Sequence, residues 1–145
     1  MASLDANSTN MPSYIAVDIR RHGLQKSAPL STYSQKIDEV KNEMGASQPD
    51  IPIVVIIDEL EYNINDTLNS DGSIEAFQEE VKKMGWTTID RNLHMASNYG
   101  EWHPTLVNEC ILAYASALIG SSNSTSSQLA ASRVASWAHG PVKMI

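Results

Sequence analysis

The chain has 145 residues with a mass of 15.9 kDa, 42% of them hydrophobic and 19% charged, and a formal charge of −7. That length suits one compact domain and falls short of two ordinary ones, and the composition is globular, not disordered. The balance of 10 basic against 17 acidic side chains argues against nucleic-acid binding, which needs a basic face to release counterions from phosphates. No apolar run approaches the ~20 residues of a membrane span. Residues 1–12 are expected to be a polar, flexible leader without the basic and apolar regions of a secretory signal, and residues 13–145 to fold as one unit.

In chain order, Tyr14 to Ile19 reads as a short strand that ends in Arg20-Arg21-His22-Gly23 and a loop rich in turn residues. From Ser31 to Met44 the apolar positions Tyr33, Ile37, Val40 and Met44 recur at three- and four-residue steps, and Gly45 stops the pattern. This predicts an amphipathic helix. Pro52 to Ile57 is a continuous β-branched run, as expected of a strand buried on both faces of a parallel sheet, and it delivers Asp58 and Glu59 at its end. Ser73 to Met84 repeats the helical spacing through Ile74, Phe77, Val81 and Met84, with Gly85 after it, and Trp86 to Ile89 reads as a third strand.

A loop from Asp90 to Trp102 leads to Pro104, which suits the first turn of a helix reaching about Ala115. Leu106, Val107, Cys110, Ile111 and Tyr114 are expected to face inward, with Cys110 a buried thiol acting as a small hydrophobe. Ala117 to Ile119 reads as a brief strand. The hydroxyl-rich stretch Gly120 to Ser127 follows, then a helix from Gln128 to Ala138 carrying Leu129, Val134 and Trp137, and a last apolar run from Val142 to Ile145. Trp86, Trp102 and Trp137 are expected to pack in the core or at its rim. There is no internal repeat.

Alternating strands and helices predict an α/β fold, a Rossmann-like parallel sheet covered by helices. Ligands of such sheets bind beyond the carboxyl ends of the strands. That rule selects Arg20 and Arg21, Asp58 and Glu59, the loop from His94 to His103, and the Ser/Thr loop, and predicts that all four share one rim. The Gly120 to Ser127 segment carries six hydroxyls where a helix start exposes N–H groups, the makings of an anion cradle. Arg20 or Arg21 suits a phosphate met bidentately. Asp58 suits a ribose or base edge; a solvated acid at a strand end is the plainer reading. The four His have neither helical i,i+4 spacing nor Cys partners, so no zinc or other metal site is expected. Neither a G-x-S-x-G elbow nor a Walker loop occurs. Sequons at Asn7, Asn65 and Asn123 lean faintly towards secretion.

Taken together, these segments resemble GDP-fucose-dependent fucosyltransferases of the protein O-fucosyltransferase type, including their fungal members. Tyr14 to Arg21 is similar to the family's V-H-I-R-R-G-D segment, Asp58-Glu59 to its S-D-E, and Gly85-Trp86 to its G-W. Tyr99 to Leu106 resembles its y-G-x-W-y-P-T-L, Ile119 to Thr125 its V-G-T-x-x-S-T, and Ala130 to Gly140 its closing A-A-R-R-V-x-x-W-x-x-G. The likeness runs from about Pro12 to Ile145. It rests on the order and spacing of motifs that are individually unspecific.

The resemblance implies the C-terminal, nucleotide-binding domain of a GT-B glycosyltransferase, with the N-terminal half absent from this chain. It implies metal-independent, inverting transfer from GDP-fucose or a related nucleotide sugar to a glycan or protein acceptor. No cofactor beyond the donor is implied, and the location would be the secretory pathway, Golgi or ER. Arg20 matches the arginine that holds the β-phosphate and stabilises the leaving group. Arg21, Ser122, Ser124, Thr125 and Ser126 match the donor- and phosphate-binding positions, and Asp18, Asn108 and Asp58 the base- and ribose-binding ones. The chain departs from the pattern at Asp18, where the family has a His, and at Asn108, where it has a guanine-reading Asp. An Asn offers one acceptor oxygen and an NH₂ donor in place of a carboxylate, so the base contact is altered. The segment from Arg20 to Leu30 also lacks an acid to act as general base, although it holds Lys26. The same departures motivate the alternative, a non-catalytic domain serving as a binding or structural module. Transfer by this chain alone is not expected.

Overall fold

A computed structural model describes residues 13–21, 28–45, 50–59, 73–89 and 103–145, with backbone alone for Arg20, Arg21, Asp58, Glu59 and residues 73–76 and 103–105. Among these residues five strands and four helices follow one another as β1 (Ile15–Arg21), α1 (Leu30–Met44), β2 (Ile53–Glu59), α2 (Ser73–Lys83), β3 (Thr87–Thr88), α3 (His103–Ala113), β4 (Ala117–Gly120), α4 (Thr125–Arg133) and β5 (Val142–Met144). A π-helical turn, Val134–Ala138, prolongs α4. All strand pairs are parallel and the order across the sheet is β3-β2-β1-β4-β5. The expected Rossmann-like α/β arrangement is therefore present.

The sheet is two-sided because successive side chains of a strand point to opposite faces. Ile15, Val17 and Ile19 of β1 join Ile53 and Val55 of β2 against Tyr33, Ile37 and Val40 of α1 and Val81 of α2. Ala16 of β1, Ile56 of β2 and Leu118 of β4 meet Leu112 of α3, Ala130 of α4 and Val134 on the other face. The continuous apolar run of β2 thus serves two cores at once, and each large aliphatic buried this way contributes about 1.5–3 kcal/mol. Gly45 and Gly85 end α1 and α2 with φ values of 86° and 79°, a backbone region that side-chain-bearing residues rarely adopt.

Several boundaries differ from the sequence reading. β1 and β2 run on through Arg20-Arg21 and Asp58-Glu59, because their ladder continues in register with Arg20 opposite Asp58 and Arg21 opposite Glu59. Helix α1 starts at Leu30, one residue early, with Pro29 as its cap. The last apolar run forms β5, pairing Leu118 with Val142 and Gly120 with Met144. Helix α3 corrects the expected phase: Leu112 and Ala113 are buried and Ile111 half-buried, whereas Leu106, Val107, Cys110 and Tyr114 are exposed. Apolar residues occur all round this helix, so periodicity selects no single face, and the small Ala113 lets the helix lie close to the sheet through the other side. Met84 is likewise exposed, since α2 ends before it. Trp86 is buried in the core, and Trp137 is exposed on the π-helical turn. Trp102 and the loop from Asp90 to Trp102 lie outside the described residues, as does the 1–12 leader. Among the described residues no helix is long and apolar enough to cross a membrane.

Candidate functional site

The chain leaves β1 toward β2 and β3 on one side and returns to β4 on the other. The carboxyl ends of β1 and β4 therefore flank the point where the strand order reverses, the crevice in which ligands of such sheets bind. Three of the four expected groups reach this edge. Arg20 and Arg21 end β1, Asp58 and Glu59 end the neighbouring β2, and the Ser-rich turn follows β4. Of the fourth, His103 is the first residue of α3, and His94 lies outside the described residues.

The Ser-rich segment is a short turn, not a long loop. Helix α4 starts at Thr125, three residues earlier than the apolar pattern indicates, because Ser124 is extended and its side chain accepts from the Ser127 N–H at 3.2 Å. Four hydroxyls are engaged within the chain. Ser121 Oγ donates to the Asp18 carbonyl at 3.3 Å, Ser122 Oγ to the Ile145 carbonyl at 3.0 Å, and Ser127 Oγ to the Asp18 carboxylate. The Ser121 N–H donates to Ser127 Oγ at 3.1 Å, so that one hydroxyl bridges the turn and the strand. From the other side, the Ile145 N–H reaches the Gly120 carbonyl at 2.9 Å, the Ser122 N–H reaches Ile145, and the Gln128 amide holds the Ser122 carbonyl at 2.8 Å. A Cβ on Gly120 would stand 3.0 Å from that of Ser127, which measures how closely α4 is drawn onto β4.

Two donors and two hydroxyls remain at this helix start. The N–H groups of Thr125 and Ser126 have no carbonyl one turn back to donate to, and among the described residues their hydroxyls make no hydrogen bond. Thr125 is exposed and Ser126 half-buried. With the positive end of the helix dipole, they are donors of the kind that anions meet at helix starts.

The remaining candidates fall in different places. Asp18 is fully buried on β1 beneath the turn, its carboxylate tied to Ser127. That bond anchors the turn to β1. Ser122 and Ser124 are likewise spent on turn and cap. Asn108 is half-buried in the middle of α3, one residue before Glu109, whose buried Oε2 has no hydrogen-bond partner among the described residues. Arg20 lies two residues, or about 7 Å, along β1 from Asp18, and strand register sets Arg20 beside Asp58. Burial pushes the Tyr33 phenol above its ordinary value near 10, with the charge of Asp18 adding to the effect. Among the described residues no three His, Cys, Asp or Glu side chains gather into a metal-binding group. The anchoring pair Asp18 and Ser127 escapes sequence reading, because it joins residues 109 positions apart.

A comparison of the chain with protein-family models, with curated proteins and with solved structures finds no match to any of them.

Proposed function

We propose that the chain is the donor-binding domain of a fucosyltransferase-like glycosyltransferase, holding the diphosphate of a nucleotide sugar such as GDP-fucose at the β1–β4 rim. The observation that carries this reading is the open start of α4, with the N–H and hydroxyl groups of Thr125 and Ser126, beside the carboxyl end of β1 that bears Arg20. Leaving-group departure in glycosyl transfer builds negative charge on the diphosphate. A guanidinium from Arg20 and the helix-start donors would neutralise that charge as it forms. Arg21 and Asp58 extend the contact toward ribose and phosphate, and Asn108 reads the base in altered form. The acceptor, a glycan or protein, is bound largely by the other half of a two-domain enzyme, so this chain alone binds donor without transferring sugar.

The test is calorimetric titration of GDP, GDP-fucose and UDP into the chain. Micromolar binding of the guanine nucleotides is expected. Loss of one charge-assisted contact costs about 1.5–3 kcal/mol, so Arg20→Ala is expected to weaken binding about 10- to 100-fold. A folded chain that takes up none of the three overturns the proposal.

One observation favours a second reading, a non-catalytic module. Ser121, Ser122, Ser124, Ser127 and Asp18 are all engaged inside the chain, which suits a turn kept for stability. On that reading the chain itself binds no nucleotide, and Asp18→His with Asn108→Asp is expected to raise GDP affinity; an unchanged affinity removes the argument that these two positions are what failed.

A further inference from the structure

Of the three sequons, those at Asn7 and Asn65 lie outside the described residues, whereas Asn123-Ser124-Thr125 occupies the turn that leads from β4 into α4. Its three side chains are disposed unequally. Asn123 is exposed and makes no hydrogen bond among the described residues, so neither the turn nor the helix cap depends on its amide. Ser124 is only 5% exposed and extended, with φ −108° and ψ 121°. An extended residue sets the side chains before and after it on one side of the backbone. Asn123 and Thr125 therefore stand together on the outer side, while Ser124 turns inward to accept from the Ser127 N–H. Thr125 is exposed, and its hydroxyl is unengaged among the described residues. An asparagine amide with a hydroxyl two residues on, carried by a surface turn, is the acceptor pattern for N-linked glycans.

We propose that Asn123 is the attachment site of an N-linked glycan, and that this glycan closes the open start of α4. The proposal rests on the reading that sends the chain through the secretory pathway, where the co-reactant, an oligosaccharide carried on a lipid diphosphate, is held. Transfer forms a bond from Asn123 Nδ2 to C1 of the first sugar and breaks the bond from that carbon to the lipid diphosphate, which leaves with its electron pair. The amide gives up one proton to the transferring enzyme. The step precedes folding of the turn. Once α4 has formed, the Ser124 N–H donates to the Ser121 carbonyl at 3.0 Å and the Ser124 carbonyl accepts from the Gln128 N–H at 3.0 Å, which fixes the backbone at the centre of the sequon. The folded chain accommodates the product, because the attachment point faces solvent. Thr125 lies two residues, or about 7 Å of chain, from Asn123, so the first sugars screen the N–H and hydroxyl groups of Thr125 and Ser126. The glycan and the diphosphate then compete for one helix start.

The test is expression of the full chain behind a cleavable secretion signal in eukaryotic cells, with peptide mass mapping before and after enzymatic release of N-linked glycans in heavy-oxygen water. A labelled aspartate at position 123 is expected, lost in Asn123→Gln and in Thr125→Ala and kept in Thr125→Ser. A chain recovered folded from the medium with Asn123 unmodified overturns the proposal. Calorimetric titration of GDP into the glycosylated chain and into Asn123→Gln reads the closure, and the glycosylated chain is expected to bind at least tenfold more weakly. Equal affinities overturn the closure. If neither form binds GDP, the donor reading fails and the closure with it, while the mapping still decides the attachment.

Discussion

Replacing Ser127 by alanine removes one hydroxyl that serves two buried groups. Its Oγ accepts from the Ser121 N–H at 3.1 Å and donates to the Asp18 carboxylate, and both Ser127 and Asp18 are fully buried. A hydrogen bond to a charged group is worth about 1.5–3 kcal/mol, and an amide left buried without a partner costs about 1–3 kcal/mol. The close approach of Gly120 to Ser127 leaves little room for a water to take over. Ser127→Ala is therefore expected to cost about 3–5 kcal/mol, a large part of the 5–15 kcal/mol that holds a typical domain folded. In a chain of this size each kcal/mol moves the melting temperature by about 2–4 °C, so Tm falls by roughly 6–20 °C. Urea unfolding followed by circular dichroism measures the loss, with the m-value unchanged if the unfolded state is unaffected. Ser126→Ala is the comparison: that hydroxyl makes no bond among the described residues, and its removal is expected to stay within about 0.5 kcal/mol while weakening nucleotide binding. A Ser127→Ala loss below about 1 kcal/mol would refute the view that this bridge fixes the turn.

Gly140→Ala is expected to be worse, because a Cβ there would lie 1.7 Å from the Ser116 carbonyl oxygen, which is backbone and has nowhere to move. A loss above about 4 kcal/mol, or failure to accumulate folded protein, is expected, and a variant within about 1 kcal/mol of the parent would contradict the packing. The phenols of Tyr14 and Tyr33 both titrate above the ordinary value near 10, each chiefly through burial. The folded chain then holds these protons longer than the unfolded one, so their contribution is complete below pH ~10 and is lost as pH rises through the folded values. Unfolding free energy should fall above that pH, and Tyr33→Phe should flatten the fall; an equal slope in both proteins would sink the assignment. Tyr14→Phe removes the 2.6 Å bond from the phenol to the Ile111 carbonyl and is expected to cost about 1 kcal/mol in the same urea assay.

The parallel sheet and its rim were legible because their signals are local. The β-branched run from Ile53 to Ile57, the spacing of Tyr33, Ile37 and Val40, and the glycines at 45 and 85 each mark an element without reference to the rest of the chain. The parallel direction of the strands then followed from the alternation of elements, and with it the end of the sheet that carries Arg20, Asp58 and the Ser-rich turn; the order of the strands across the sheet did not. What was not legible depends on partners distant in sequence. The tie between Asp18 and Ser127 decides which hydroxyls stay open to a ligand, and no pattern around either residue announces it. β5 is three residues long, too short for periodicity, and exists because β4 offers it an edge. The exposed side of α3 was misassigned because apolar residues surround that helix; only packing shows that Leu112 and Ala113 face the sheet. Asp18 is the clearest case: its sequence neighbours say nothing of the buried bond that it accepts from Ser127.

The central claim, that a nucleotide diphosphate binds at the start of α4 beside the end of β1, is tested most directly by amide chemical-shift mapping of the chain during a GDP titration. The account expects the largest shifts at the N–H groups of Thr125 and Ser126, saturating at micromolar GDP, absent with guanosine and moved to about 10- to 100-fold higher GDP in Arg20→Ala. Shifts gathered at the opposite end of the sheet, around Tyr14 and Ser116, or no shifts at millimolar GDP, would contradict it.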